Sequence, residues 1–377
     1  MISRRHFSIG AAAAAVGGFA GVARAQSEQP IVLGQSAPFT GPAAQLGIQF
    51  YEGARLCLDQ HNGQPGTRGV VIRQLDDGYE PERAVANTGK LIQDDVFALF
   101  GYIGTPTSLA ALPLAVKDKV PFIAPFTGAM GLREPFHRNV FHLRASYNDE
   151  TALIVNQLTH LGLKKIAVFH QNDAYGKAGL DGVTLALAQQ NLKPLGAATV
   201  ERNSVDVAAA VKALAPLRPD AIVQISAYKS CAAFIREARK AGYGGTFYNV
   251  SFVGTQALAD ELGKEGAGIV VSQVMPSPYN SANPITREFN EASRKAGGKV
   301  QANFSSIEGY LAARVLVEGL KRAPSAKTAS REGLIAGLEG IERQQFAGFD
   351  VSFSPKNHVA SKFVELSMIT GDGRIRT

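Results

Sequence analysis

Apolar residues along this chain gather in short blocks about 25 residues apart, with a longer amphipathic stretch in most of the gaps. In the first half the blocks are Ile31–Leu33, Val70–Leu75, Val96–Phe100 and Pro121–Ala124. In the second they are Lys165–His170, Leu195–Val200, Ala221–Ile225, Thr246–Asn249 and Ile269–Val274. Their length and flanking turn residues predict strands buried on both faces. The gaps carry the helical period. Phe50, Ala54, Cys57 and Leu58 recur at i, i+4, i+7 and i+8, and Ala84, Thr88, Leu91 and Ile92 do the same after Pro81, a residue suited to a first helical turn. Phe234, Ala238 and Ala241 line one side of a further helix, which Gly242 closes. Strands alternating with helices of this length predict βαβ units, a parallel sheet and helices on both faces.

The spacing resets between residues 140 and 165. There a strand-like run, Asn139–Arg144, leads into Ala145-Ser146-Tyr147-Asn148-Asp149, a crossover and helix cap. The fold class is therefore α/β, with two doubly wound Rossmann-like lobes rather than one wide sheet. Residues 30–147 and 278–345 form the first lobe, and residues 148–277 and 346–377 the second. The proline-rich stretch Ser277–Asn283 returns the chain, so that helices over Pro284–Ala296 and Ser305–Arg322 pack on the first lobe. The tail segments Gly348–Phe353 and Phe363–Ile369 alternate like antiparallel strands and are expected to rejoin the second lobe. No repeat of solenoid period is present.

The first 25 residues read as an address rather than as fold. Arg4-Arg5 precedes Phe7 and an alanine- and glycine-rich apolar run, and Ala23-Arg24-Ala25 offers a cleavage site before Gln26. The arginine pair fits an export signal of the twin-arginine variety, which places the mature chain in the periplasm. The apolar run is too short to span a ~30 Å hydrocarbon core. Loss of Arg4, Arg5 and Arg24 reduces the net charge from +7 to +4, or 36 basic against 32 acidic side chains. These are scattered rather than blocked, which argues against nucleic-acid binding. Cys57 and Cys231 lie in different halves, in segments predicted helical, and read as two buried free thiols. They supply no metal site.

Catalytic and cofactor motifs are missing. The chain has no G-x-S-x-G elbow, no H-E-x-x-H and no Walker loop. Gly101-Tyr102-Ile103-Gly104 lacks the third glycine and the acidic follow-up of a dinucleotide site. Asp76-Asp77 is either a carboxylate pair for chemistry or a polar strand end that caps the next loop. What the chain does offer is small polar and aromatic residues just past the strand ends, where open α/β sheets bind ligands. These are Tyr102–Thr107, Pro125–Gly128, Asn172–Gly176 and Ser226–Tyr228. Helix N-termini at such loops suit a carboxylate. Thr105 and Thr127 can add hydroxyl donors or simply cap their own helices. Tyr175 and Tyr228 can close over an apolar body or pack on their own loops.

At these residues the chain resembles a known family. Gly41-Pro42-Ala43-Ala44-Gln45-Leu46-Gly47, Asp76-Asp77, Gly104-Thr105-Pro106-Thr107, Pro121-Phe122-Ile123-Ala124-Pro125 and Asn172-Asp173-Ala174-Tyr175-Gly176 occur in the order found in periplasmic receptors of the leucine/isoleucine/valine-binding type. The likeness covers essentially the whole mature chain. It implies the type I periplasmic-binding-protein fold, two lobes joined by three crossings, and a small carboxylate or amino-acid ligand in the cleft. It further implies a monomer that serves the permease subunits of an ABC transporter, without cofactor, metal or catalytic residue. The resemblance puts the ligand carboxylate at Thr105 and the loop Phe126, Thr127 and Gly128, with Leu46, Ile103, Gly104 and Tyr175 at other pocket positions; Tyr228 is added as a strand-end residue and Val253 as the residue at or next to the family's ammonium position. In amino-acid receptors of this type an acid of the second lobe meets the ligand ammonium. The matching loop, Val250–Gly254, places Val253 there and offers none. An unpaired ammonium in a closed cleft is expensive, so an aromatic or aliphatic acid is favoured, unless another acid such as Glu308 reaches the cleft. A ligand-presenting sensor subunit and a periplasmic enzyme are the alternatives.

Overall fold

The computed structural model describes residues 29–323 and 329–377. The expected export signal, with the expected cleavage site at Ala25/Gln26, falls outside the described residues. The chain starts with five strands and four helices, β4 and β5 being linked by a 3-10 turn at Met130–Leu132 instead of a helix: β1 (Ile31–Ala37), α1 (Ala44–Asn62), β2 (Val70–Asp76), α2 (Pro81–Gln93), β3 (Ala98–Phe100), α3 (Thr105–Lys117), β4 (Phe122–Ile123), β5 (Val140–Phe141) and α4 (Tyr147–His160). The strands form a parallel sheet in the order β2-β1-β3-β4-β5. A second series follows: β6 (Ile166–Gln171), α5 (Ala174–Gln189), β7 (Ala197–Val200), α6 (Ala208–Leu214), β8 (Ala221–Ile225), α7 (Tyr228–Lys240), β9 (Thr246–Asn249), α8 (Thr255–Leu262) and β10 (Val270–Gln273). The chain then runs through α9 (Pro284–Lys295), α10 (Phe304–Arg322), α11 (Arg331–Glu339), β11 (Gln344–Phe346), β12 (Phe349–Val351), β13 (Glu365–Ile369) and β14 (Ile375–Arg376). The second sheet is ordered β14-β13-β10-β9-β8-β6-β7, antiparallel only where β13 and β14 join.

Local chemistry accounts for the element starts. Pro81 sits in the first turn of α2. Ser146 and Asp149 close a reciprocal capping box at the head of α4, and Asn303 and Ser306 do so for α10. Asp173 caps α5 by accepting from Tyr175 N and Gly176 N. The inner strands β1, β6 and β8 bury both faces, as the continuous apolar runs predict, while the edge strands β2 and β7 stay partly exposed. In the first lobe, Leu91, Tyr102, Ala111 and Phe122 build one layer of core under α2 and α3. The opposite layer belongs to α1 and α10. These two helices approach backbone to backbone, because a Cβ at Gly53 would strike Ser306 O and one at Gly309 would strike Phe50 O. The return of α9 and α10 to the first lobe is thus a packing fact.

One expectation fails. Gly348–Phe353 does not rejoin the second sheet. β11 and β12 pair only with each other, and the chain after them lies on the first lobe: Val359 bridges to His142, Ala360 N donates to His142 O at 2.8 Å, and Phe353 meets Phe141 edge-on at 5.3 Å. The apolar side chains Phe349, Val351 and Phe353 bury themselves there, so the return to the second sheet waits until Glu365. The chain thereby passes between the lobes three times, after β5, after β10 and before β13. The strand expected over Asn139–Arg144 shortens to Val140–Phe141. Both cysteines are free and buried.

Candidate functional site

The strand ends of the two sheets face one another, and the loops that follow them meet in a buried seam. On the first lobe, Ile103 bridges to Phe126, and Gly104 N donates to Phe126 O at 3.2 Å, so the β3 and β4 loops are pinned side by side. Thr105 is the first residue of α3, not its cap. Gly104 occupies the cap position at φ 98°, and the Thr105 hydroxyl instead meets that of Thr127 at 2.7 Å. Thr127 Oγ1 also accepts from Ala129 N at 3.2 Å and lies 3.4 Å from the Tyr147 hydroxyl. Burial pushes the Tyr147 phenol up to about 12, so it stays a neutral donor. Three hydroxyls thus converge beside the N-terminus of α3, whose first N–H groups have no partner within the helix.

Glycines make this approach possible. A Cβ on Gly104 would enter the Tyr79 ring, and one on Gly128 would stand 2.6 Å from Tyr147 N. Arg133, buried behind the loop, donates to Thr127 O, Ala129 O and Arg144 O and so holds its curvature. Asp76 and Asp77 take the structural role. Asp76 accepts from Phe39 N and Thr40, while Asp77 accepts from Ser36 Oγ at 2.7 Å and from Tyr79 N at 2.8 Å. The pair thereby sets the two loops that flank the seam.

The second lobe contributes aromatics. Tyr175, in the first turn of α5, is fully buried, with its ring 5.4 Å from that of Tyr147 and 4.6 Å from that of Phe252. Phe252 and Val253 lie on a 3-10 turn, Ser251–Val253, after β9. The Phe252 ring also packs 5.8 Å from both Phe126 and Tyr79 of the first lobe. Leu46 fills the space where Gly254 would carry a Cβ, and the Tyr228 phenol reaches the backbone of neighbouring Gln45. All ten residues named from the sequence, Leu46, Ile103, Gly104, Thr105, Phe126, Thr127, Gly128, Tyr175, Tyr228 and Val253, therefore lie along one inter-lobe seam.

Sequence reasoning did not single out Tyr79, Tyr147 or Phe252, which complete it. Tyr79 and Tyr147 were legible as aromatics directly after a strand end and a helix cap. Phe252 carried no such signal, because only the turn of Ser251–Val253 aims it across the seam.

Electrostatics are settled by the protein itself. Among the described residues the buried carboxylates are Asp77, Glu150, Glu308 and Glu339. Glu308 grips Arg144 through two bonds, 2.8 and 2.7 Å, and Arg144 lies 3.9 Å over the Phe126 ring. Glu150 accepts from Ser251 N, Ser251 Oγ and Ser272 Oγ. Glu339 pairs with Arg138 and His358. Asp173, partly buried at the cleft edge, accepts from Tyr175 N, Gln171 and Arg202. Among the described residues no cluster of His, Cys, Asp or Glu is arranged to hold a metal ion, and no helix is long and apolar enough to cross a membrane.

This geometry has known counterparts. The family described as periplasmic binding protein matches residues 30–373. A Leu/Ile/Val-binding protein homolog of Brucella suis is 23% identical over 378 residues, covering 95% of this chain and 93% of the relative. The crystal structure of a possible leucine/isoleucine/valine-binding protein from Rhodopirellula baltica superposes with a TM-score of 0.87 at 34% identity, over 92% of this chain and 95% of that one. A solute-binding protein of an ABC transporter from R. palustris, solved with benzoate, shares the fold at a TM-score of 0.80 and 22% identity, over 91% and 94% of the two chains. The fold is that of type I periplasmic binding proteins, whose members bind small solutes and work with ABC transporter permeases. The chain belongs to the periplasmic binding protein family, in its leucine/isoleucine/valine-binding type, and is by that membership a solute binder rather than an enzyme.

Proposed function

We propose that this chain is the capture subunit of an ABC importer, exported to the periplasm, and that its solute is a small aromatic or aliphatic acid without an α-amino group. One observation carries the choice of ligand. The seam presents hydroxyls and a helix N-terminus for a carboxylate, while every buried carboxylate of the described residues is already engaged by the protein. Glu308, the acid best placed by sequence to serve an ammonium, is neutralised by Arg144. The benzoate-bound relative supports the reading, and the amino-acid name of the Brucella relative weighs against it.

In this reading Thr105, Thr127 and Tyr147 donate to the ligand carboxylate, assisted by the N–H groups and partial positive charge of the first turn of α3. Tyr79, Phe126, Tyr175, Phe252 and Val253 surround its apolar body. Groups from both lobes are needed, so ligand favours the closed arrangement in which they coincide, and the permease reads that arrangement. Nothing in this requires the solute to react.

Isothermal titration against benzoate, hexanoate, leucine and valine tests the proposal. Benzoate or hexanoate is expected to bind at least tenfold more tightly than either amino acid and to come off chemically unchanged. Tight leucine or valine binding refutes the ligand assignment.

A further inference from the structure

Resting on the carboxylic-acid reading above, we propose that the ligand carries a neutral hydroxyl at the end remote from its carboxylate, and that Tyr175, Ser226 and Gln171 receive it. The juxtaposition comes from the second sheet. His170 of β6 pairs with Ile225 of β8 in parallel register, so the next residues, Gln171 and Ser226, stand side by side at the strand ends that face the seam. The first turn of α5 rests directly on that end, since a Cβ on Gly176 would run into Gln171 O. Tyr175 is held over it by its own N–H on Asp173. The Cys231 thiol donates to Ser226 O at 3.4 Å, and Gly179, one turn after Tyr175 on α5, packs against Ile225 beside it.

Each of these three side chains is at most 1% exposed, and each has a polar atom with no partner: the Tyr175 hydroxyl, Ser226 Oγ and Gln171 Oε1. Buried polar atoms are nearly always satisfied, so three orphans at one end of a ligand seam call for a partner that arrives from outside. Their chemistry defines it. Gln171 Nε2 is occupied by Tyr79 and Asp173, which leaves Gln171 only an acceptor to offer. The two hydroxyls can donate or accept. A ligand hydroxyl that donates to Gln171 Oε1 and accepts from Tyr175 or Ser226 completes the set. A second carboxylate would face Gln171 Oε1 and the engaged carboxylate of Asp173. A remote ammonium would find no free acid, since Asp173 already serves Arg202.

A site built to bond a hydroxyl discriminates strongly against the analogue that lacks it. The test compares 4-hydroxybenzoate with benzoate and 6-hydroxyhexanoate with hexanoate by titration calorimetry on the wild-type protein and on the double variant Tyr175→Phe/Ser226→Ala. In the wild type at least one hydroxy acid is expected to bind tenfold or more tightly than its parent. In the variant that preference should fall below threefold, whatever the change in affinity common to both acids, and the ligand-free melting temperature should hold or rise, because orphaned hydroxyls have been removed. Equal binding within both pairs, or a preference that survives the double variant, overturns this inference and leaves the carboxylic-acid reading intact. Tight valine binding with no response to any of the four acids overturns both.

Discussion

Arg202 of the second lobe lies 3.1 Å from Glu80 of the first, spanning the mouth of the seam. The same guanidinium reaches Asp173 at 3.3 Å, and neighbouring Asn203 donates to Gly78 O and to Glu80 Oε1 at 3.0 and 2.7 Å. These bonds require the lobes to be together, so they form a latch that belongs to the closed arrangement alone. The pair is partly exposed, which limits each contact to about 0.5–1 kcal/mol. Arg202→Ala is expected to weaken ligand binding three- to tenfold, mainly through faster release, and to raise the radius of gyration of the ligand-free protein in X-ray scattering. A double-mutant cycle with Glu80→Gln isolates the pair; independent effects would show that no latch operates.

The ion pair of Arg144 and Glu308 sits on the same seam, with both side chains at 3% exposure or less. Burial alone would disfavour the charged guanidinium, but Glu308 outweighs that and keeps Arg144 ionised. Arg144 also donates to Ser251 Oγ at 3.1 Å, which ties the pair to the turn that carries Phe252. Glu308→Gln leaves a buried charge uncompensated and is expected to cost about 3–5 kcal/mol. Replacing both partners, as Arg144→Met with Glu308→Leu, should recover most of that loss in chemical denaturation. A double variant no more stable than Glu308→Gln would contradict the assignment.

Asp77 makes stability depend on pH in an unusual direction. Burial raises its carboxyl from 3.8 to about 6, against the lowering effect of its bonds from Ser36 and Tyr79 N. Between pH 4 and 6 the folded state therefore holds a proton that the unfolded chain has lost. The contribution of this group is full at acid pH and fades as pH rises through 6, by up to about 3 kcal/mol. Asp76, despite some desolvation, is lowered to about 2 by bonds from Thr40, Phe39 N and Gly78 N, so its titration falls below this window. Glu150, also raised by burial, acts in the same sense as Asp77. Asp77→Asn is expected to melt higher than wild type at pH 7.5 and to flatten the fall in melting temperature between pH 4 and 6. An unchanged slope would assign that fall to other groups.

The two thiols should be silent. Burial pushes Cys57 up to about 12 and Cys231 further still, and only the thiolate reacts. Ellman's reagent is expected to find no reactive thiol in the native protein and two in denaturing guanidinium. Rapid labelling of the folded form would place at least one of them outside the core.

Gly128 tests the geometry of the loop. Alanine there would press a methyl against Tyr147 N and Tyr147 Cδ1, each 2.6 Å away. Such overpacking is expected to cost about 1–3 kcal/mol. It should weaken acid binding by more than Arg202→Ala does, since it displaces both Thr127 and Tyr147. Wild-type affinity in Gly128→Ala would remove the loop from the site.

The periodic apolar blocks of this chain determined its strands, its helices and the division near residue 145, because burial on a period of two or 3.6 is a local requirement that each segment meets in its own sequence. Turn chemistry did the same for the loops after β3, β4 and β6, which is why Thr105, Thr127 and Tyr175 were legible as residues of the strand-end loops that meet in the seam. Contacts between segments far apart in sequence were decided only in the folded molecule. Whether Glu308 could serve a ligand depended on Arg144, 164 residues away; whether Gly348–Phe353 joined the first or the second lobe depended on the packing of Phe353 against Phe141. Phe252 entered the seam because Gly254, at φ 79°, lets Leu46 close against its turn. Such pairings are set by which surfaces remain to be buried once both sheets have formed, and no local period along the chain records that.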